Sequence, residues 1–95
     1  MTNPTGAAVR RRVVVHGEVQ GVFFRDTVAS EAREAGVAGW VRNCADGTVE
    51  AILEGDPEAV DRVVSVCREG PDRAQVSRVD VEDGSPQGAS GFDVR

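Results

Sequence analysis

Apolar residues along this chain switch between a two-residue and a three-to-four-residue spacing, and the order of the switches leaves few folds open. Val9, Val13 and Val15, set among Arg10, Arg11, Arg12 and Val14, predict a β-branched strand over 9–16. Gly17 to Gly21 then breaks the strand. Val28, Ala32 and Ala35 recur at helical spacing and predict a helix over 24–35, with Gly36 as its stop. Trp40-Val41-Arg42 predicts a second strand running into Asn43. Asp46-Gly47 is a hairpin-turn signal, and Thr48–Glu54 reads as the returning strand with Val49, Ala51 and Leu53 on one face. Asp56-Pro57 opens a second helix by supplying a cap and a proline at the first helical position. Val60, Val63, Val64 and Cys67 form its apolar stripe, and Gly70-Pro71 closes it. Val76, Val79 and Val81 mark a fourth strand whose alternation slips at Ser77-Arg78, which predicts a bulge there. Phe92 and Val94 mark a short last strand, either separate from the fourth or continuing it. The resulting βαββαβ order is that of an α+β ferredoxin-like sandwich, an antiparallel sheet with two helices on one face. Phe24, Trp40 and Phe92 are assigned to the core, and Phe23 to the rim of a cleft.

A chain of 95 residues carries one domain. Residues 1–8 read as a flexible N-terminal tail and 9–95 as the domain. All 11 basic residues are arginine, and 16 acidic residues leave a net charge of −5. That balance argues against nucleic acid as a partner, since phosphate backbones attract basic faces. It leaves room for a small anion, which needs one or two local cations and a few oriented N–H groups. Cys44 and Cys67 lie far apart, form no metal-type pair, and read as reduced thiols. No apolar run has the length of a membrane span, and the first residues lack the apolar stretch of a signal peptide. A monomeric cytoplasmic protein is the default expectation.

The segment from His16 to Arg25 holds the chemistry. A glycine-bounded loop between a strand and a helix exposes several backbone N–H groups, and the helix start adds partial positive charge. Arg25 falls in the first helical turn, where its planar guanidinium can grip two phosphate oxygens together. The loop is not a P-loop, because no Lys-Ser/Thr pair follows its second glycine. Its glycine spacing is also wrong for a dinucleotide fingerprint.

Gly17-Glu18-Val19-Gln20-Gly21-Val22-Phe23-Phe24-Arg25 resembles the acylphosphatase signature G-x-V-Q-G-V-x-F-R. Gly39-Trp40-Val41-Arg42-Asn43, followed by Asp46-Gly47-Thr48-Val49-Glu50, resembles the family's second block. The resemblance runs from about residue 13 to 95. It implies hydrolysis of acyl phosphates to a carboxylate and inorganic phosphate, without a metal or other cofactor. It assigns phosphate binding to the Arg25 side chain and to the backbone amides of Glu18, Val19, Gln20, Gly21, Val22, Phe23, Phe24 and Arg25. It assigns to Asn43 the orientation of the attacking water. Inorganic phosphate or sulfate is the implied competing ligand. Cys44 departs from the threonine or serine that often follows the asparagine.

The residue types suit this chemistry. A carboxylate leaves readily, so positioning and charge stabilisation can carry most of the catalysis. Asparagine is no general base, but it can fix a water by donating and accepting hydrogen bonds.

Other readings are weaker. An RNA-binding ferredoxin-like domain needs exposed aromatics and basic flanks, whereas these strands are mostly valine. A non-catalytic acylphosphatase-like module, binding a small anion or a protein, is the remaining alternative, and intact Arg25 and Asn43 count against it. His16 reads as a strand-end side chain with no carboxylate to orient it, and Asp80, Glu82 and Asp83 as a solvated edge.

Overall fold

The elements follow in the order β1 (Val9–Glu18), α1 (Phe24–Ala35), β2 (Ala38–Asn43), β3 (Val49–Gly55), α2 (Pro57–Glu69), β4 (Gln75–Gly84) and β5 (Phe92–Val94). The computed structural model describes residues 7–95. Of the tail assigned to residues 1–8, positions 1–6 lie outside the described residues. The strands form one sheet in the order β4-β1-β3-β2-β5.

β3 lies at the centre and pairs antiparallel with both β1 and β2. β1 and β2 therefore point the same way, and their C-terminal ends emerge at one end of the sheet. Val15 of β1 and Asn43 of β2 both pair with Val49. Their strands are thus about 10 Å apart, two strand spacings. Both helices pack on the face carrying Val13, Val15, Val41, Val49, Ala51 and Leu53. α1 contributes Phe24, Val28, Ala29 and Ala32, and α2 contributes Val60, Val63, Val64 and Cys67. Each such side chain, fully buried, stabilises the fold by roughly 1.5–3 kcal/mol, less for alanine.

The helix limits follow local chemistry. Asp56 caps α2 by accepting from the Glu58 N–H at 3.0 Å, with Pro57 at the first helical position. Gly36 ends α1, and its neighbour Val37 donates back to the Ala32 carbonyl at 2.8 Å. The expected bulge is present. His16 pairs with Arg78 and Gly17 with Val76, which leaves Ser77 without a partner.

Several expectations change. β1 continues through Gly17 and Glu18, because β4 supplies partners for both beyond the bulge. β5 is a separate strand at the opposite edge from β4. It runs parallel to β2, so the sheet is mixed rather than wholly antiparallel. Trp40 is not in the core. Strand parity gives the inner face to Val41, and Trp40 lies half-buried on the open face. There its ring is flanked by the guanidinium carbons of Arg95 at 4.8 Å and Arg42 at 5.4 Å. The acidic run is ion-paired rather than merely solvated: Asp80 meets His16 and Arg78, Glu82 meets Arg12, and Asp83 meets Arg11.

The open face of β3 carries two buried carboxylates. Glu50 is clamped between Arg12 of β1 and Arg42 of β2, the latter at 2.6 Å. Burial pushes its carboxyl up, but the hydrogen bonds from Arg42 and Arg12 outweigh this and hold it below the usual range. Glu54 accepts from the Gln87 amide at 2.9 Å, the Ala89 amide at 2.8 Å and Arg10 Nη1 at 3.0 Å. It straps the segment before β5 across the sheet. The Gln87 amide foremost, with the Ala89 amide and Arg10, lowers its carboxyl from 4.5 to about 2 against the opposing effect of burial.

A carboxylate depressed in the folded state contributes stability that is complete above its unfolded value and is lost as pH falls through the folded one. The difference in urea midpoint between wild type and Glu54→Gln should therefore be widest above about pH 4.5 and close as pH falls toward about 2. A pH-independent difference would contradict this role for Glu54.

Candidate active site

Three apolar side chains fold the loop between β1 and α1 onto the core. Val19 and Phe24 are buried, and Val22 packs partly buried against the same cluster. Phe23, between Val22 and Phe24, is thrown outward and is 70% exposed. It takes a left-handed conformation with φ 64°, an arrangement that costs a bulky residue about 1–3 kcal/mol. It also occupies the cap position of α1 without a side-chain cap bond. The first N–H groups of a helix have no intrahelical partner. At α1, unlike α2, no capping side chain takes one up.

A cavity of about 260 Å³ opens at this helix start, lined by Val19, Gly21, Phe23, Phe24, Arg25, Asp26 and Asn43. Arg25 and Asn43, carried by different elements, thus face one space. Arg25 sits in the first turn of α1, and its Nη1 donates to the main-chain oxygen of Arg95 at 2.9 Å. Asn43 is the last residue of β2, held in register opposite Val49. The turn that follows is tight. Cys44 N–H donates to the Thr48 carbonyl at 2.9 Å, and Thr48 Oγ1 donates to Asp46 Oδ1 at 2.6 Å. Thr48 also holds the Asp46 carboxyl below its ordinary value.

Not every residue assigned to the phosphate cradle lines the cavity. Val19, Gly21, Phe23, Phe24 and Arg25 do; Glu18, Gln20 and Val22 do not. Glu18 is the last residue of β1 and pairs with Gln75. The Gln20 side chain reaches away to the turn after Asn43, donating to the Cys44 and Thr48 carbonyls. Asp26 lines the cavity and was not singled out from sequence; its place beside Arg25 in the first helical turn is the signal that was available. His16 has the orienting carboxylate that sequence reading denied it, Asp80 Oδ2 at 3.0 Å, but it does not line the cavity. Cys44 and Cys67 are free thiols. Burial raises the Cys67 thiol to about 12. Among the described residues no cluster of three or more His, Cys, Asp or Glu is placed to hold a metal ion. Nor is any helix long and apolar enough to cross a membrane.

Fold and cavity together define a class: a ferredoxin-like domain with an uncapped helix start, an arginine and an asparagine converging on one small polar cavity. The acylphosphatase family model matches residues 11–94. An acylphosphatase from Thermococcus kodakarensis is 50% identical over 90% of this chain and 94% of its own length. One from Rubrobacter xylanophilus is 54% identical over 90% of this chain and 79% of its own. The solved structure of an acylphosphatase from Coxiella burnetii superposes with a TM-score of 0.90 at 37% identity, covering all of both chains. The chain belongs to the acylphosphatase family, and its activity is that of an acylphosphatase, a hydrolase.

Gly17 near the end of β1 and Gly21 in the loop that follows differ in what surrounds them. Gly17, at φ +126°, lies so close to β4 that an added Cβ would sit 2.1 Å from the Gln75 carbonyl oxygen. Gly21, at φ +75°, has open space around it. Gly17→Ala should therefore destabilise the fold clearly more than Gly21→Ala, whose cost is the left-handed backbone alone, about 1–2 kcal/mol. Urea unfolding of both variants checks this, and equal losses would contradict it.

Proposed function

We propose that the cavity binds the phosphoryl group of an acyl phosphate, with the Arg25 guanidinium and the loop and helix-start amides on its oxygens and Asn43 holding the attacking water. The observation that carries this reading is the shared cavity, where a cation, uncapped amides and a neutral hydrogen-bonding side chain converge. The water oxygen attacks phosphorus, and the bond from phosphorus to the acyl oxygen breaks. The electron pair leaves with the carboxylate. One water proton stays on the attacking oxygen and the other passes to a phosphate oxygen, giving dihydrogen phosphate. No group with a general base's pKa is required, because the substrate takes the proton itself.

Arg25 and the amides neutralise charge on the equatorial oxygens, the service a metal gives in many phosphoryl transfers. Turnover of benzoyl phosphate should accordingly survive exhaustive chelation. A loss in chelator that a divalent ion restores would contradict it. Inorganic phosphate and sulfate should compete with substrate and raise the melting temperature by binding the folded state. The proposed site is complete within one copy of the chain, so activity needs no second subunit, and two free thiols suit the reducing cytoplasm.

Arg25 and Asn43 should fail differently when replaced. Arg25 touches phosphate from binding onward, so Arg25→Ala should weaken phosphate inhibition by about 10- to 100-fold, the scale of lost charge-assisted hydrogen bonds, and also slow turnover. Arg25→Lys should rescue little, since a point charge lacks the planar fork. Asn43→Ala should leave phosphate inhibition nearly intact and lower kcat by about 10²-fold or more. A folded Asn43→Ala enzyme with normal kcat, or with phosphate affinity lost as in Arg25→Ala, would overturn the assignment.

A further inference from the structure

Gln20 belongs to the loop but turns its carboxamide away from the cavity. Its Nε2 donates to the Cys44 carbonyl at 2.7 Å and to the Thr48 carbonyl at 2.9 Å. Those carbonyls are the two ends of the turn that follows Asn43. Each already accepts a backbone bond within the turn, Cys44 from the Gly47 N–H and Thr48 from the Cys44 N–H. Gln20 supplies a second donor to both. Because both partners are carbonyl oxygens, only the amide nitrogen can face them, which fixes the orientation of the side chain. The contact is half-buried, so neither carbonyl is fully served by solvent in its place.

Among the described residues, the other hydrogen-bonded routes from the loop to β2 are indirect: the ladders that β1 and β2 each make with β3, and Arg95, which accepts from Arg25 and donates to the Val41 carbonyl. Gln20 closes that gap directly. We infer that Gln20 is a positioning residue, whose side chain fixes the turn after Asn43 against the phosphate loop and so sets where Asn43 stands relative to bound phosphate. The inference rests on the roles proposed above for Arg25 and Asn43. Gln20 acts through the Cys44 and Thr48 carbonyls and makes no contact with the cavity.

The test compares Gln20→Ala and Gln20→Glu with wild type by kcat, KM and phosphate inhibition across pH, each variant first shown to melt cooperatively. Misplacing a reacting group by about 1 Å can cost about 10²-fold, so Gln20→Ala should lose about 10- to 100-fold in kcat while phosphate inhibition changes little. In Gln20→Glu a carboxylate would face two carbonyl oxygens and be repelled. Protonation turns it into an O–H donor that can restore one of the two bonds. The kcat of Gln20→Glu relative to wild type should thus rise as pH falls, a limb absent from Gln20→Ala. A role in folding alone would lower stability in both variants without that limb. Wild-type kcat in folded Gln20→Ala, loss of phosphate inhibition as large as the loss of kcat, or a Gln20→Glu profile matching that of Gln20→Ala would each overturn the inference. Arg25→Ala and Asn43→Ala are measured alongside. If they are inactive while Gln20→Ala is normal, the positioning role alone fails. If they are active, the site reading beneath it fails.

Discussion

Everything at the cavity depends on β3 pairing antiparallel with both of its neighbours. That one constraint sends β1 and β2 in the same direction, so the loop after β1 and the residue ending β2 arrive at the same end of the sheet. Neither strand could slip by one residue without turning Val13 and Val15, or Val41, out of the core and Arg12, or Arg42, into it. The register that buries Val13, Val15 and Val41 is therefore the same register that brings Asn43 level with Val15. Site geometry here is a by-product of core packing, with the loop and the turn after Asn43 adding the last ångströms.

The open face of the sheet reinforces that register by electrostatics rather than by burial of apolar surface. Arg42 of β2 stands directly opposite Glu50 of β3, and Arg12 reaches the same carboxylate diagonally from β1, where Val14 is its register partner. A slip of either outer strand would leave a buried carboxylate facing the wrong partner, which is costly because an unpaired buried charge has lost its water. Glu54 performs the second task. By holding the amides of Gln87 and Ala89 it carries the chain across the sheet to the far edge, where β5 pairs with β2. The end of that strap reaches the cavity, since the Arg95 main-chain oxygen accepts from Arg25. A carboxylate on the face opposite the helices is in this way connected to the position of Arg25.

The elements that local chemistry decides were legible in the sequence. α1 runs over Phe24–Ala35 as its apolar spacing and Gly36 indicate, and α2 starts where Asp56-Pro57 says it should. Arg25 and Asn43 were legible as a pair because two motifs at a family-like separation pointed to them. What was hidden depends on contacts distant in sequence. β5 could not be placed, because its position is set by main-chain amides bonding to Glu54, and amides leave no mark in a sequence. Trp40 was misassigned because its size suggested the core, while strand parity had already given the inner face to Val41. The side chain of Gln20 was overlooked for the same reason as β5: its partners are carbonyls of the main chain, more than twenty residues away in the sequence.

The most direct test of the central claim is to locate the bound phosphate. Uniformly 15N-labelled protein titrated with inorganic phosphate should show its largest shifts at the amides of residues 19–25 and at the Arg25 guanidinium. The Asn43 side-chain amide should respond as well, since it lines the same space. The open-face cavity lined by Arg10, Trp40, Gln87 and Arg95 is the competing location, because it too offers guanidinium groups. Shifts concentrated there, with residues 19–25 unmoved, would contradict the account.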